Sequence, residues 1–264
     1  MTKALITGAS SGIGATYADR LSAAGHDLIL VARDRGKLEA LAARLSARDG
    51  TTVQILPADL AVPADLHDVE RRLRNDEIDT LINNAGISVG GAFEAADPDR
   101  LEGMIDLNIT AVTRLAQAAA ASFVARGRGT IVNIGSVTAL LPERFDPTYL
   151  ASKAYVLAFS QALAAQFADR GLRVQAVLPG ATRTEIWAKS GVDIETLPAG
   201  MVMGVEEMVD AALAGLAQGE TVTIPALPDA ADWQAFEAAR LNLAPNLSRD
   251  RAAERFGVSA AIVA

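Results

Sequence analysis

Short apolar runs alternate along the chain with longer stretches in which apolar residues recur at helical spacing. ALIT (4–7) leads to a predicted helix from about Ile13 to Ala24, and DLILVA (27–32) to one from about Asp34 to Arg48. TVQILPA (52–58) precedes PADLHDVERRLR (63–74), whose leading proline suits a first helical turn. DTLINNAG (79–86) is followed by a long helical region from about Pro98 to Ala125, and GTIVNIGS (129–136) by a helix from about Asp146 to Asp169. LRVQAVLPG (172–180) and TVTIPA (221–226) are the sixth and seventh runs. The runs are rich in Val, Ile and Leu and do not alternate strictly, as in strands buried on both faces of a parallel sheet. Repeated strand–helix units with right-handed crossovers predict a doubly wound α/β fold: a seven-stranded, mainly parallel sheet with helices on both faces. No linker or repeat marks a second domain. One domain over residues 1–264 is expected, with 227–264 as a C-terminal extension in which DWQAFEAARLNL (232–243) looks amphipathic.

The segment 181–204 interrupts the rhythm. It carries Gly191, Pro198, Gly200 and Gly204, with exposed-looking Ile186, Trp187, Met201 and Met203. Its place after a strand's carboxyl end favours a substrate lid over a plain surface excursion.

Composition removes several function classes. There is no cysteine, so disulfides, thiolate catalysis and Cys-ligated metal are excluded. His26 and His67, the two histidines, have no metal-ligand spacing and read as surface residues; no metal site is expected. A net charge of −8 argues against a general nucleic-acid binder. No run approaches 18 apolar residues, so no membrane span is expected. MTKALITGAS begins on a strand-like pattern without the regions of a signal peptide, and a cytoplasmic protein is expected.

Chemistry concentrates where runs end. In ITGASSGIGATYADRL (6–21), Gly8, Gly12 and Gly14 lie between the first strand and its helix. Gly8 allows a tight exit, Gly12 lets backbone approach a pyrophosphate, and Gly14 allows close helix–sheet packing. In YLASK (149–153), Tyr149 and Lys153 stand four apart on one helical face. A phenol titrates near about 10, and a neighbouring ammonium favours its ionised form. Ser136 ends the fifth run, thirteen residues before Tyr149, placing both at the carboxyl edge of the sheet.

TGASSGIG (7–14), NNAG (83–86), Asn108, Ser136, YLASK and PG (179–180) together resemble the short-chain dehydrogenase/reductases over roughly residues 3–226. That resemblance implies a Rossmann-like domain, a nicotinamide cofactor and hydride transfer at a carbinol or carbonyl carbon. It implies catalytic Ser136, Tyr149 and Lys153, and an Asn108 that holds a water linking Lys153 to solvent. Cofactor contacts are expected from Gly8, Ser10, Ser11, Gly12, Ile13 and Gly14, from Asp59 and Leu60 near the adenine, and from Asn84, Ala85 and Gly86. Tyr149 and Lys153 are expected to meet the nicotinamide ribose, and Pro179, Gly180, Thr182 and Thr184 the carboxamide. Asp59 also reads as N-cap-like before the Pro63 helix. Ala32 stands where an acidic residue would bond the ribose of NAD, and Arg33 follows it; NADP is preferred, with NAD possible. Gly135 precedes Ser136 where many relatives carry Ser, which adds backbone freedom.

The sequence therefore points to an NADP-dependent carbonyl reductase or alcohol dehydrogenase acting on a small molecule. A catalytically silent NADP(H)-binding regulator is the alternative; a nucleotide-sugar epimerase would need a larger second domain than the ~40 C-terminal residues can build. The resemblance also implies a homodimer or homotetramer, and the Ala-rich faces at 111–121 and 158–168 suit either helix contacts between subunits or a core.

Overall fold

The computed structural model describes residues 2–143, 146–184, 193–198 and 200–258. The chain divides into two compact units, Met1–Pro225 and Ala226–Ala264. The first contains strands β1 (Lys3–Thr7), β2 (Asp27–Ala32), β3 (Val53–Pro57), β4 (Thr80–Asn83), β5 (Gly129–Ile134), β6 (Leu172–Val177) and β7 (Val222–Thr223). They form one sheet in the order β3-β2-β1-β4-β5-β6-β7, and every neighbouring pair is parallel. The strand order reverses between β1 and β4, opening the crevice at the carboxyl ends where ligands of such sheets bind.

The helices are α1 (Gly12–Ala23), α2 (Arg35–Asp49), α3 (Pro63–Asn75), α4 (Pro98–Ile105), α5 (Val112–Ala125), α6 (Pro147–Phe167) and α7 (Val205–Ala217). Successive strand residues supply opposite layers, because side chains alternate across a sheet. Leu5, Leu81, Ile131 and Val174 pack with Leu66, Val69, Leu73, Leu115 and Phe123 on one side. Ile6, Leu30, Ile82 and Val132 pack with Tyr17, Leu38, Leu45, Met208 and Val209 on the other. The alanines of α5 from 116 to 120, Gln117 apart, are buried in the first layer, so that stretch of 111–121 is core. Along 158–168 of α6, Phe159, Leu163, Ala164 and Phe167 pack on the first layer, while Ala158, Ala162, Ala165 and Gln166 form an open face.

Between α4 and α5 the chain forms a π turn, Asp106–Ala111, inside the long helical region. Such turns concentrate at functional sites, and this one carries Asn108. The second unit contains α8 (Ala230–Leu241) and two short 3-10 turns. Trp233 and Phe236 stack with centroids 5.4 Å apart, and none of the unit's described residues is buried. Among the described residues no helix is long and apolar enough to cross a membrane.

Candidate active site

The glycine turn joins β1 to α1. Gly8 has φ +64° and Gly12 φ +53°, both in the left-handed region where a side chain is strained. A Cβ on Gly14 would lie 2.4 Å from the Gly8 carbonyl oxygen, so the helix needs glycine there to seat against the strand exit. Ser11 caps α1 without a side-chain hydrogen bond, and the first turn contains no acidic residue. Its amides and the positive end of the helix dipole therefore suit an anion. Ile13 packs into the core beneath the turn, whereas Ser10 and Ser11 stay half-buried on it.

Thr7, to which the sequence assigns no role, fastens this turn to the NNAG segment. Its hydroxyl donates to the Ile82 carbonyl at 3.3 Å and accepts from the amides of Asn84 and Ala85 at 2.9 and 3.0 Å. The Asn84 side chain donates to the carbonyls of Thr7 and Gly8 at 2.9 and 3.3 Å. Asn84 therefore shapes the crevice floor through these bonds. Below it, Asn83 donates to Asn133 at 3.0 Å, which donates to Ser160 at 2.9 Å, pinning β4, β5 and α6 together.

Arg33 lies at the end of β2, 73% exposed, with its guanidinium 3.7 Å from Asp59. Asp59 does not cap α3: Val62 holds that position. The Asp59 carboxylate instead accepts from the Ala61 amide at 3.1 Å, and its own amide donates to Asp65 at 2.8 Å. Asp59 stands four residues before Pro63, and its bond to the amide two residues on is that of an Asx turn rather than a cap. Leu60 is buried in the core.

At the reacting end, Asp146 caps α6 by accepting from the Tyr149 amide at 2.7 Å. The Lys153 ammonium donates to the Ile134 carbonyl at 3.0 Å and lies 5.7 Å from the Tyr149 ring centroid. Ser136 caps the 3-10 turn after β5, its hydroxyl accepting from the Thr138 amide at 3.2 Å. Ser136, Tyr149 and Lys153 thus meet beyond the ends of β5 and β6. Burial raises the Tyr149 pKa, and a hydrogen bond with Ser136 opposes that shift. Burial lowers the Lys153 pKa from 10.5 to about 8. The sequence predicts a phenol pKa depressed by the ammonium; in the folded protein burial raises it, and the hydrogen bond with Ser136 is what opposes the rise.

Asn108 is 1% exposed and its side chain is fully engaged. It donates to the Ile87 carbonyl at 2.9 Å and to the Ser152 hydroxyl at 3.1 Å, and it accepts from the Ile87 amide at 3.0 Å. The residue expected to hold a relay water thus has its carboxamide bonded to protein groups. Gly86 fits between two of these groups: a Cβ there would lie 3.1 Å from the Asn108 carboxamide oxygen and 3.5 Å from the Lys153 nitrogen.

The loop after β6 closes the far wall. The Pro179 carbonyl accepts from the Val137 amide at 3.0 Å, and the Gly180 carbonyl from the Thr182 hydroxyl at 3.1 Å. Thr184 reaches the glycine turn, 3.2 Å from where a Cβ on Gly12 would stand. A parallel bridge between Thr182 and Met203 fastens both ends of the expected lid. Met203, expected to be exposed, packs on the core, while Met201 is exposed. Ile186, Trp187 and Gly191 lie outside the described residues.

Two smaller expectations need correction. His26 is half-buried, with Nδ1 buried and unpartnered, so burial lowers its pKa against the pull of Asp79. Gly135 does not use a left-handed conformation. It is needed for space, since a Cβ would lie 2.6 Å from the Leu178 side chain.

The crevice pairs a glycine cradle with a buried Ser and Lys and a half-buried Tyr, and a profile of the short chain dehydrogenase family matches residues 2–195. The chain belongs to the short-chain dehydrogenase family. Among solved relatives, a short-chain dehydrogenase from Sphingobium yanoikuyae in complex with NADPH is 53% identical, with TM-score 0.94, covering 97% of this chain and 99% of that one. The bulky-bulky ketone specific alcohol dehydrogenase from Comamonas testosteroni is 46% identical, with TM-score 0.90, covering 97% and 98%. Human 17-beta-hydroxysteroid dehydrogenase type 3 is 34% identical over 183 residues, which span 69% of this chain and 59% of that protein.

Proposed function

We propose that this short-chain dehydrogenase transfers a hydride between NADP(H) and the carbon of a ketone or secondary alcohol, with Tyr149 as the general acid and base. The observation that carries this reading is the grouping of half-buried Tyr149 with buried Lys153 and Ser136 at the crevice whose opposite wall is the glycine turn. A pure cofactor sensor has no need of a positioned proton donor, and the relatives supply no support for that alternative.

The chain's residues fit the cofactor the family implies. Gly8, Gly12 and the uncapped amides of α1 suit a pyrophosphate. Arg33, beside Ala32 and open to solvent, suits a 2′-phosphate, and Asp59 and Leu60 border the adenine end. Ala85 and Gly86 floor the nicotinamide end, and Pro179, Gly180, Thr182 and Thr184 wall it. When bound, the nicotinamide supplies or accepts the hydride. The relative in complex with NADPH supports the phosphorylated form.

Ser136 donates to the substrate oxygen and steadies charge developing on it. Tyr149, kept protonated by burial, gives its proton to that oxygen during reduction and takes it back during oxidation. Lys153 holds the ribose hydroxyls and supplies positive charge when Tyr149 ionises. Asn108 keeps the Ile87 segment in place, and any relay to solvent passes its backbone. The substrate we favour is a ketone with two bulky apolar substituents. Exposed Phe93, Leu141 and Met201 lie on the segments after β4, β5 and β6, and the Comamonas relative is named for such ketones. A homodimer or homotetramer joined through the open face of α6, located in the cytoplasm, completes the proposal.

A panel of bulky ketones and secondary alcohols, assayed with NADPH and with NADH, tests the reading. NADPH-dependent reduction is expected; no turnover across the panel would leave the silent-binder alternative standing. Arg33→Ala separates the cofactors. Charge-assisted hydrogen bonds worth about 1.5–3 kcal/mol predict a rise of about 10- to 100-fold in KM for NADPH and little change for NADH.

A further inference from the structure

We infer that Ser152 is a positioning residue, the tie by which the π turn carrying Asn108 fixes the catalytic helix. The inference rests on the proposed reductase reading. Ser152 lies between Tyr149 and Lys153 in sequence and is fully buried. Its hydroxyl donates to the Tyr149 carbonyl at 2.6 Å and accepts from the Asn108 carboxamide at 3.1 Å. The same carboxamide exchanges two bonds with the Ile87 backbone. One oxygen atom thus joins three pieces: the Tyr149 backbone, the π turn, and the segment after NNAG.

The tie bears on the reacting groups through Gly86, which fits closely between the Asn108 carboxamide and the Lys153 ammonium. Any shift of Asn108 changes the packing over Lys153, whose ammonium donates to the Ile134 carbonyl. Burial is the leading cause of the perturbation at both Tyr149 and Lys153. The other acidic group here, Asp146, is engaged at the helix cap through the Tyr149 amide. A looser Asn108 admits water to the pair, which brings both groups back toward their ordinary values.

Helix formation does not require the hydroxyl. Alanine is the better helix former, and without Ser152 the Asn108 amide still donates to Ile87. Ser152→Ala is therefore expected to fold, with a melting temperature close to that of the wild type. Small misplacements of reacting groups are costly in rate, so kcat for ketone reduction should fall about tenfold. The alkaline limb of its pH profile, set first by loss of the buried Lys153 ammonium, should also move to higher pH, because a better-hydrated ammonium keeps its proton more firmly. A protein merely weakened by the change would lose amplitude equally at every pH. The experiment compares wild type, Tyr149→Phe and Ser152→Ala by melting and by kcat against pH, with NADPH and a bulky ketone. Lower kcat with a displaced limb and unchanged melting supports the inference. A wild-type profile, a uniform loss at all pH values, or a variant that does not fold overturns it. If the wild type itself turns nothing over, or Tyr149→Phe keeps normal turnover, the reductase reading fails rather than the tie.

Discussion

Tyr149→Phe is expected to lower the rate of ketone reduction by about 10²- to 10⁴-fold, the usual contribution of a placed general acid, and to leave NADPH binding largely intact. The ring remains between α6 and the segment after β5, and only the hydroxyl shared with Ser136 is lost. Steady-state rates paired with cofactor titration by fluorescence check both halves. The wild-type pH profile carries a linked sign. Reduction needs the protonated phenol, and burial raises its pKa above 10.0. The rate for reduction should therefore hold through neutral pH, fall first as the Lys153 ammonium, lowered to about 8 by burial, loses its proton, and show the phenol's own limb only in strongly alkaline solution. A bound positive charge that lowers this pKa would move the limb down for the oxidised cofactor complex alone.

Gly14→Ala is the second large effect, and it acts on fold and site together. The added carbon would stand 2.4 Å from the Gly8 oxygen and 2.6 Å from the Asn84 amide nitrogen. Neither yields cheaply: the first is backbone, and the second is held by the carbonyls of Thr7 and Gly8. Overpacking of this kind costs about 1–3 kcal/mol, and the displaced turn should also weaken NADPH binding. Gly103→Ala is the control. Gly103 sits in α4 with nothing within 4 Å of the added carbon, so it should gain about 0.5–1 kcal/mol. Thermal melts and NADPH titration of the two variants would separate crowding from a general intolerance of alanine.

Much of the fold is legible because each strand is a compact Val/Ile/Leu run and each following helix begins with a proline, an acidic cap or a glycine turn. β2 lies where DLILVA stands, and α3 begins at its proline. α7 is harder to see, because VEEMVDAALAGLA follows an irregular segment and no side chain caps its start. The site divides in the same way. Tyr149, Lys153 and Ser136 are legible from spacing and from their places at element ends. Thr7 and Ser152 are not, since a threonine closing a strand and a serine in an alanine-rich helix are common. Their roles exist only once β4 lies beside β1 and the π turn lies against α6. The direction of the phenol's shift was also hidden. Spacing brings the ammonium near, but only the packed structure shows that burial prevails.

The proposed chemistry is tested most directly by following the transferred hydrogen. Wild-type protein is incubated with NADPH bearing deuterium at the reactive face of C4 and with a bulky ketone, and the alcohol is analysed by mass spectrometry and NMR. One deuterium at the carbinol carbon, appearing in step with oxidised cofactor and suppressed in Tyr149→Phe, is the predicted result. Cofactor that binds tightly while no ketone in the panel acquires the label would contradict it.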